Sequence, residues 1–301
     1  MKKFITLIAA LVMAANGLFA ETTAIGYVTK NYNLKDFTGI TAGGIVSINL
    51  VKSDNYKVEI TLPAELEEYL TVRVSGGDLK ISLSSVPARI TKRLKDWNMT
   101  AEIAMPELIR LELSGANNLR TDDTFDLKDK GFRLEVSGAS KVNGLNIMAS
   151  ELVAELSGAT YVNLAGGFDV ARIDMAGAAK GAFNIDAGKL KMEASGASKP
   201  TIKGEFDTID LEISGASDFN WTGSARKMDV EASGASKVRT SGCPVEEVRL
   251  DLSGASKCDV NAVRYLGIEA SGASDVHYVA NPNLELDLIS VARGASISKT
   301  R

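Results

Sequence analysis

The sequence is short of the residues from which most catalytic and metal centres are built. It holds one histidine, His277, and two cysteines, Cys243 and Cys258. A single histidine cannot form a histidine metal cluster, and two cysteines cannot make a disulfide framework. No Gly-x-x-x-x-Gly-Lys-Ser/Thr loop, Gly-x-Ser-x-Gly elbow or His-Glu-x-x-His helix occurs, so nucleotide hydrolysis, α/β-hydrolase chemistry and zinc proteolysis have no motif to stand on. Positive charge is not in excess: 34 Lys and Arg stand against 38 Asp and Glu, a net −4. That balance offers nothing to a nucleic acid. No cofactor is indicated.

Long apolar runs are also missing after the first 20 residues. There, Lys2 and Lys3 precede an apolar stretch from Phe4 to Phe19, and Ala20 stands where cleavage would follow, with Gly17 as an alternative. This pattern predicts a secretory signal over 1–20 and an exported chain, periplasmic or on the outer surface of a Gram-negative bacterium. No cysteine stands behind the signal for lipidation, and no membrane span is expected after cleavage.

What the sequence does have is one phrase repeated. Ser-Gly-Ala-Ser or a close variant recurs around Gly115, Gly138, Gly158, Gly177, Gly196, Gly215, Gly234, Gly254, Gly272 and Gly294, at steps of 18 to 23 residues. A period near 20 held this long means stacked coils. Two and four positions before each of the first nine glycines the residues are apolar, as in Leu113 and Leu111, Ile213 and Leu211, or Leu252 and Leu250. Between them stands an acid: Glu112, Glu135, Glu155, Asp174, Glu193, Glu212, Glu231, Asp251, Glu269. Apolar, charged, apolar is a strand with one buried face. Glycine then permits a tight corner, the following alanine is small enough to point into a crowded interior, and a second apolar position follows at glycine plus four. Each repeat therefore reads as strand, corner, second strand and looser return. The expected fold is all-β: a right-handed parallel β-helix of about 19–20-residue coils over 107–301, with residues 21–106 as a β-rich N-terminal cap or irregular first coils.

Within 21–106, Val46, Ile48 and Leu50 alternate, as do Val58, Ile60 and Leu62, with Ser53-Asp54-Asn55 between them as a turn. A second hairpin is expected around Gly76-Gly77-Asp78, and one helical turn between Pro63 and Leu70. Arg89, Lys92, Arg93 and Lys95 near Trp97 read as a solvated connector, with a polyanion contact as the sharper alternative. Cys258 falls in the inward column between Val238 and Val276, and Cys243 on a return loop beside Pro244, so a bridge between them is not expected.

Phe37-Thr38-Gly39-Ile40, Gly44-Ile45-Val46-Ser47-Ile48, Tyr56-Lys57-Val58-Glu59-Ile60, Gly77-Asp78-Leu79-Lys80-Ile81 and Met105-Pro106-Glu107-Leu108, leading into the Leu-Glu-Leu-Ser-Gly-Ala repeats, resemble the head GIN domain family over about residues 30–297. Those are exported bacterial proteins described as auto-transporter adhesin heads. The resemblance implies a β-helical fold and an adhesin role, and it brings no catalytic or binding residues with it.

The strongest site candidate is the acidic column. In register, Glu135, Glu155, Asp174, Glu193, Glu212, Glu231, Asp251 and Glu269 stand about 4.8 Å apart on the outside of one sheet. Like charges so placed repel, and Arg110, Arg133, Arg172, Lys191 and Arg249, two positions earlier, can balance them. Lys141, Lys180, Lys199, Lys237 and Lys257 recur at glycine plus three. A cation ladder is the sharper reading of the acids, a charge-balanced solvated face the plainer one. The column Ser140, Ser198, Ser217, Ser236, Ser256 and Ser274 reads as corner hydroxyls or, more sharply, as a ligand-binding or ice-like surface. Trp221, Tyr161, Tyr265 and Tyr278 are scattered over different coil positions and make no stacking platform. No coil breaks the pattern with a polar cluster, as an enzyme site would require, and His277 reads as a surface residue. The expected function is a non-enzymatic binding module of adhesin type, acting through extended repetitive faces on a glycan or a matrix or cell-surface protein. A polysaccharide hydrolase or lyase and a structural envelope protein are the alternatives. A monomer and a homo-oligomer packed along the rods fit the sequence equally well.

Overall fold

A computed structural model describes residues 26–94 and 97–300. The leader assigned to residues 1–20 and Lys95 of the basic connector lie outside the described residues. The chain begins with β1 (Tyr27–Asn31), β2 (Gly39–Gly44), β3 (Ser47–Lys52) and β4 (Lys57–Pro63). A 3-10 turn over Ala64–Tyr69 follows, where one helical turn was expected. Next come β5 (Leu70–Ser75), β6 (Asp78–Leu83), the short helix α1 (Ala88–Arg93) and β7 (Thr100–Met105).

The hairpin around Gly76-Gly77 forms, with β5 and β6 antiparallel. The expected hairpin of β3 and β4 does not. Both edges of β3 are taken by parallel neighbours, β7 on one side and, on the other, β9 (Asn118–Arg120) after β8 (Arg110–Gly115). β2 lies parallel to β8, with Gly44 opposite Gly115. Residues 39–52 are therefore a true first coil of the rod. The chain leaves it, builds β4–β7 on its outer side, and returns beneath it with β8. β4 runs antiparallel to β7, and β1 antiparallel to β4, so the N-terminal end is closed by strands that cannot continue the parallel stack. Leu66, Ile90 and Leu94 join the same core there. The connector is thus partly helical and anchored by Ile90, with Arg93 ion-paired to Glu65.

The next coils are made of β10 (Thr124–Asp126), β11 (Gly131–Val136), β12 (Lys141–Met148) and β13 (Glu151–Leu156). From there each coil is one long extended run: β14 (Tyr161–Met175), β15 (Lys180–Ala194), β16 (Lys199–Ile213), β17 (Asp218–Ala232), β18 (Lys237–Leu252) and β19 (Lys257–Ala270). Each pairs in parallel with the next. The fold is a parallel β-solenoid, as the period requires. The return, however, is not loose. Leu164, Phe183, Ile202 and Trp221 stack in register through it and are buried. This inward column changes residue type at every step, which hid it in the sequence.

The corner also differs from expectation in one detail. From Gly115 to Gly272 the alanine after the glycine, such as Ala197 or Ala216, is exposed, and the residue after it, most often serine, is the one that enters the core. The cause is the positive φ at glycine (+69° at Gly215), which turns the next peptide outward and the one after it inward. The stack is tight there: the Ala216 N–H donates to the Gly196 carbonyl at 2.7 Å. A Cβ on Gly215 would lie 2.6 Å from that same oxygen.

The C-terminal end is open. β20 (Asp275–Val279) and β21 (Glu285–Val291) form the last full coil on β19, and β22 (Ser296–Thr300), paired in parallel with β20, begins a further turn. Leu286 and Leu288 stand in register with Leu266 and Ile268, yet remain 38% and 52% exposed, since no described residue covers them.

Candidate functional site

The acidic column falls in register as the period predicts. Glu112, Glu135, Glu155, Asp174, Glu193, Glu212, Glu231, Asp251 and Glu269 are successive partners in the parallel ladder. They point outward because the residues on either side point in. The first eight line one wall of a trough. The other wall is a hydroxyl row that sequence reasoning passed over: Ser137, Ser157, Ser195, Ser214, Ser233 and Ser253. Their position immediately before each glycine shares the parity of the acids, and that was the available signal. The serine column singled out instead is internal: Ser140, Ser198 and Ser256 are 0% exposed. A ligand-binding or ice-like role for that column is overturned. Ser198 and Ser217 bond each other at 3.1 Å, and Ser256 donates to the Ser253 carbonyl at 2.9 Å.

The balancing cations do part of what was expected. Arg133 reaches Glu135 and Glu155, the latter at 2.8 Å. Lys191 reaches Glu193 at 3.0 Å and Glu212 at 3.3 Å. The rest turn away from the column. Arg110 pairs with Asp78, Arg172 with Glu151, and Arg249 lies 3.9 Å from Asp229 and over the Tyr265 ring. At Asp210 and Asp229 the supposed basic position is itself acidic, and Lys227 pairs with Asp229 at 2.6 Å. Glu112, Asp174, Glu231, Asp251 and Glu269 make no ion pair among the described residues. Partial burial raises the Asp174 pKa above its ordinary value, and Glu193 and Glu155 on either side raise it further.

Beyond the corner the lysine column stands exposed: Lys141, Lys180, Lys199, Lys237 and Lys257. Only Lys257 has an ion pair among the described residues, with Asp275 at 3.8 Å. The Ser-Gly-Ala edge thus separates an acidic wall from a basic rim.

The remaining candidates are less well placed. Trp221 is 4% exposed and donates its indole N–H to the Gly204 carbonyl at 3.1 Å, so it cannot stack on a sugar. His277 sits between Asp259 (2.9 Å from Nδ1) and Asp275 (3.6 Å from Nε2) on an exposed face. Among the described residues, no group of three or more His, Cys, Asp or Glu side chains is arranged to hold a metal ion. Both cysteines are unpaired, and Cys243, expected on a loop, is buried in β18 with its thiol donating to the Trp221 carbonyl.

A family model described as "Putative auto-transporter adhesin, head GIN domain" matches residues 36–199 and again 179–282. No curated protein matches the chain. Among solved structures it is similar to a putative adhesin from Parabacteroides distasonis ATCC 8503, at 16% identity over 91% of this chain and 97% of that one, with a TM-score of 0.48. It is similar to a putative adhesin from Parabacteroides merdae ATCC 43184, at 16% identity over 91% and 96%, with a TM-score of 0.44. A third, described as a putative lipid binding protein from Parabacteroides distasonis ATCC 8503, is 16% identical over 91% and 97%, with a TM-score of 0.38.

Proposed function

From the premise that the chain belongs to the family of the "putative auto-transporter adhesin, head GIN domain", we propose that it is an exported, non-enzymatic binding module of adhesin type. It acts at the cell surface or in the periplasm, and its recognition surface is the carboxylate–serine trough. The observation that carries this reading is the run of eight in-register carboxylates facing a row of hydroxyls along one edge of the rod. Carboxylates accept hydrogen bonds from sugar hydroxyls and from ammonium or guanidinium groups, while serine both donates and accepts. Each such contact on an exposed face contributes about 1 kcal/mol or less, so a single coil holds nothing firmly. A partner that repeats along the rod adds these contacts together. The surface therefore suits an extended glycan or a cell-surface or matrix protein better than a small molecule.

The test is retention of the purified protein on immobilised polysaccharides and matrix proteins, with release of oligosaccharides scored in the same assay. Retention that the triple variant Glu193→Gln, Glu212→Gln, Glu231→Gln loses, without released products, supports the reading. Released products would replace it with the polysaccharide-acting enzyme, and retention indifferent to the variant would move recognition to another face.

A further inference from the structure

Along the middle coils, from Gly158 to Gly254, the charges left over on the two sides of the Ser-Gly-Ala edge are distributed in a complementary way. Between Gly158 and Gly254 the coils whose glycine-plus-three residue is not lysine carry Tyr161 and Asp218, and the acids of those coils, Glu155 and Glu212, are satisfied by Arg133 and Lys191 of the same chain. In the same stretch the acids without an ion pair among the described residues, Asp174, Glu231 and Asp251, stand in coils that carry Lys180, Lys237 and Lys257, whereas Glu112 and Glu269 at the two ends of the column, also without an ion pair, stand in coils that carry Asn118 and Asp275. Each of these three lysines lies beyond the corner from its acid, six residues along the chain, and so on the opposite side of the edge.

We propose that the trough receives a second copy of this chain, the two rods lying side by side and parallel about a two-fold axis that runs along them. The inference rests on the trough being the recognition surface and names its partner. Charge fixes the orientation. With the two-fold axis parallel to the rods, the basic rim of one faces the acidic wall of the other, twice over, as an isologous interface requires. With the axis across the rods, acid would face acid and lysine would face lysine. Pitch fixes the partner. The trough repeats at the coil spacing of about 4.8 Å, and a second copy presents ammonium groups at that same spacing by construction. At equal height Lys180 meets Asp174, Lys237 meets Glu231, and Lys257 meets Asp251, with Lys257 exchanging its 3.8 Å contact to Asp275. The edge between the ladders carries only exposed Gly and Ala and half-buried Ser over these coils, so nothing bulky holds the rods apart.

Sedimentation velocity over a concentration series, at low and at high salt, tests this. The protein is expected to dimerise at low salt, with at least tenfold weaker association at about 0.5 M salt, where exposed pairs are screened. The variants Asp174→Lys/Glu231→Lys/Asp251→Lys and Lys180→Glu/Lys237→Glu/Lys257→Glu are each expected to remain monomeric with the native circular dichroism spectrum. Their equimolar mixture is expected to dimerise, because each restores what the other lost, and recovery on mixing separates lost pairing from misfolding. A wild-type protein that stays monomeric, or a mixture that fails to associate, overturns the proposal. If the wild type is monomeric while glycan or matrix retention still depends on the trough acids, self-recognition fails and the trough reading stands. If dimers persist in the separate variants, the rods meet elsewhere.

Discussion

Asp174 stands directly beside Glu193 in the parallel ladder, carboxylate next to carboxylate, and unlike Glu193 it makes no ion pair among the described residues. Partial burial and the two flanking acids hold its pKa above the ordinary value. A carboxyl group whose pKa is raised on folding binds its proton more tightly in the folded state. Its contribution therefore favours folding at low pH and is lost as pH rises from the ordinary aspartate range through the higher folded value. At neutral pH that cost is fully present. Asp174→Asn is expected to stabilise dilute monomeric protein at pH 7 by up to about 1 kcal/mol, with the gain vanishing as pH falls below the aspartate range. Urea unfolding at pH 7 and pH 3.5 checks this, and a destabilised variant at pH 7 would contradict it.

Gly215 and Ala216 are neighbours with opposite tolerances. Gly215→Ala forces a left-handed φ on a residue with a Cβ and drives that Cβ to 2.6 Å from the Gly196 carbonyl oxygen. The expected loss is at least about 2 kcal/mol. Ala216→Ser, on the exposed side of the same corner, is expected to change stability by less than about 0.5 kcal/mol. Denaturant midpoints of the two variants should differ accordingly.

The buried serines are not equivalent either. Ser217 bonds to Ser198 at 3.1 Å, whereas the Ser236 hydroxyl is buried with no partner among the described residues. Ser217→Ala is expected to cost about 1 kcal/mol, and Ser236→Ala to be neutral or stabilising. Equal losses at both positions would mean that the ladder acts through packing alone.

Both thiols are enclosed, and burial pushes both pKa values up. Neither Cys243 nor Cys258 is expected to react with a thiol reagent in native protein at pH 8, and both should react after unfolding. Prompt native labelling at Cys258 would contradict the enclosed coil at that point.

The repeat made the rod legible because a coil that stacks on itself must place the same side-chain class at the same position each time. The acids between Leu211 and Ile213, or between Leu250 and Leu252, announced both the strand and its outer face. The return strand was hidden because its inward column, from Leu164 through Phe183 and Ile202 to Trp221, needs only bulk and not a fixed residue. The corner misled for a related reason: alanine is small enough to enter a core, but the φ of the preceding glycine decides direction, and it sends Ser198 or Ser217 inward. At the N-terminal end, alternation located β3 and β4 but could not say that β3 already had parallel partners on both edges. At the site, the acids were visible and their partners were not. Arg172 and Arg249 share a column with Lys191, yet Glu151 and Asp229 lie within their reach and take them away.

Carbodiimide labelling of carboxylates, read residue by residue by mass spectrometry, tests the assignment of the recognition surface most directly. Free protein is compared with protein bound to whichever partner retains it, a second copy at high concentration included. The expected result is protection of Asp174, Glu231 and Asp251, with Asp207, Glu246 and Asp169 on other edges labelled as before. Protection of those distant acids, with the trough still labelled in the bound state, would show that recognition does not run along the Ser-Gly-Ala edge.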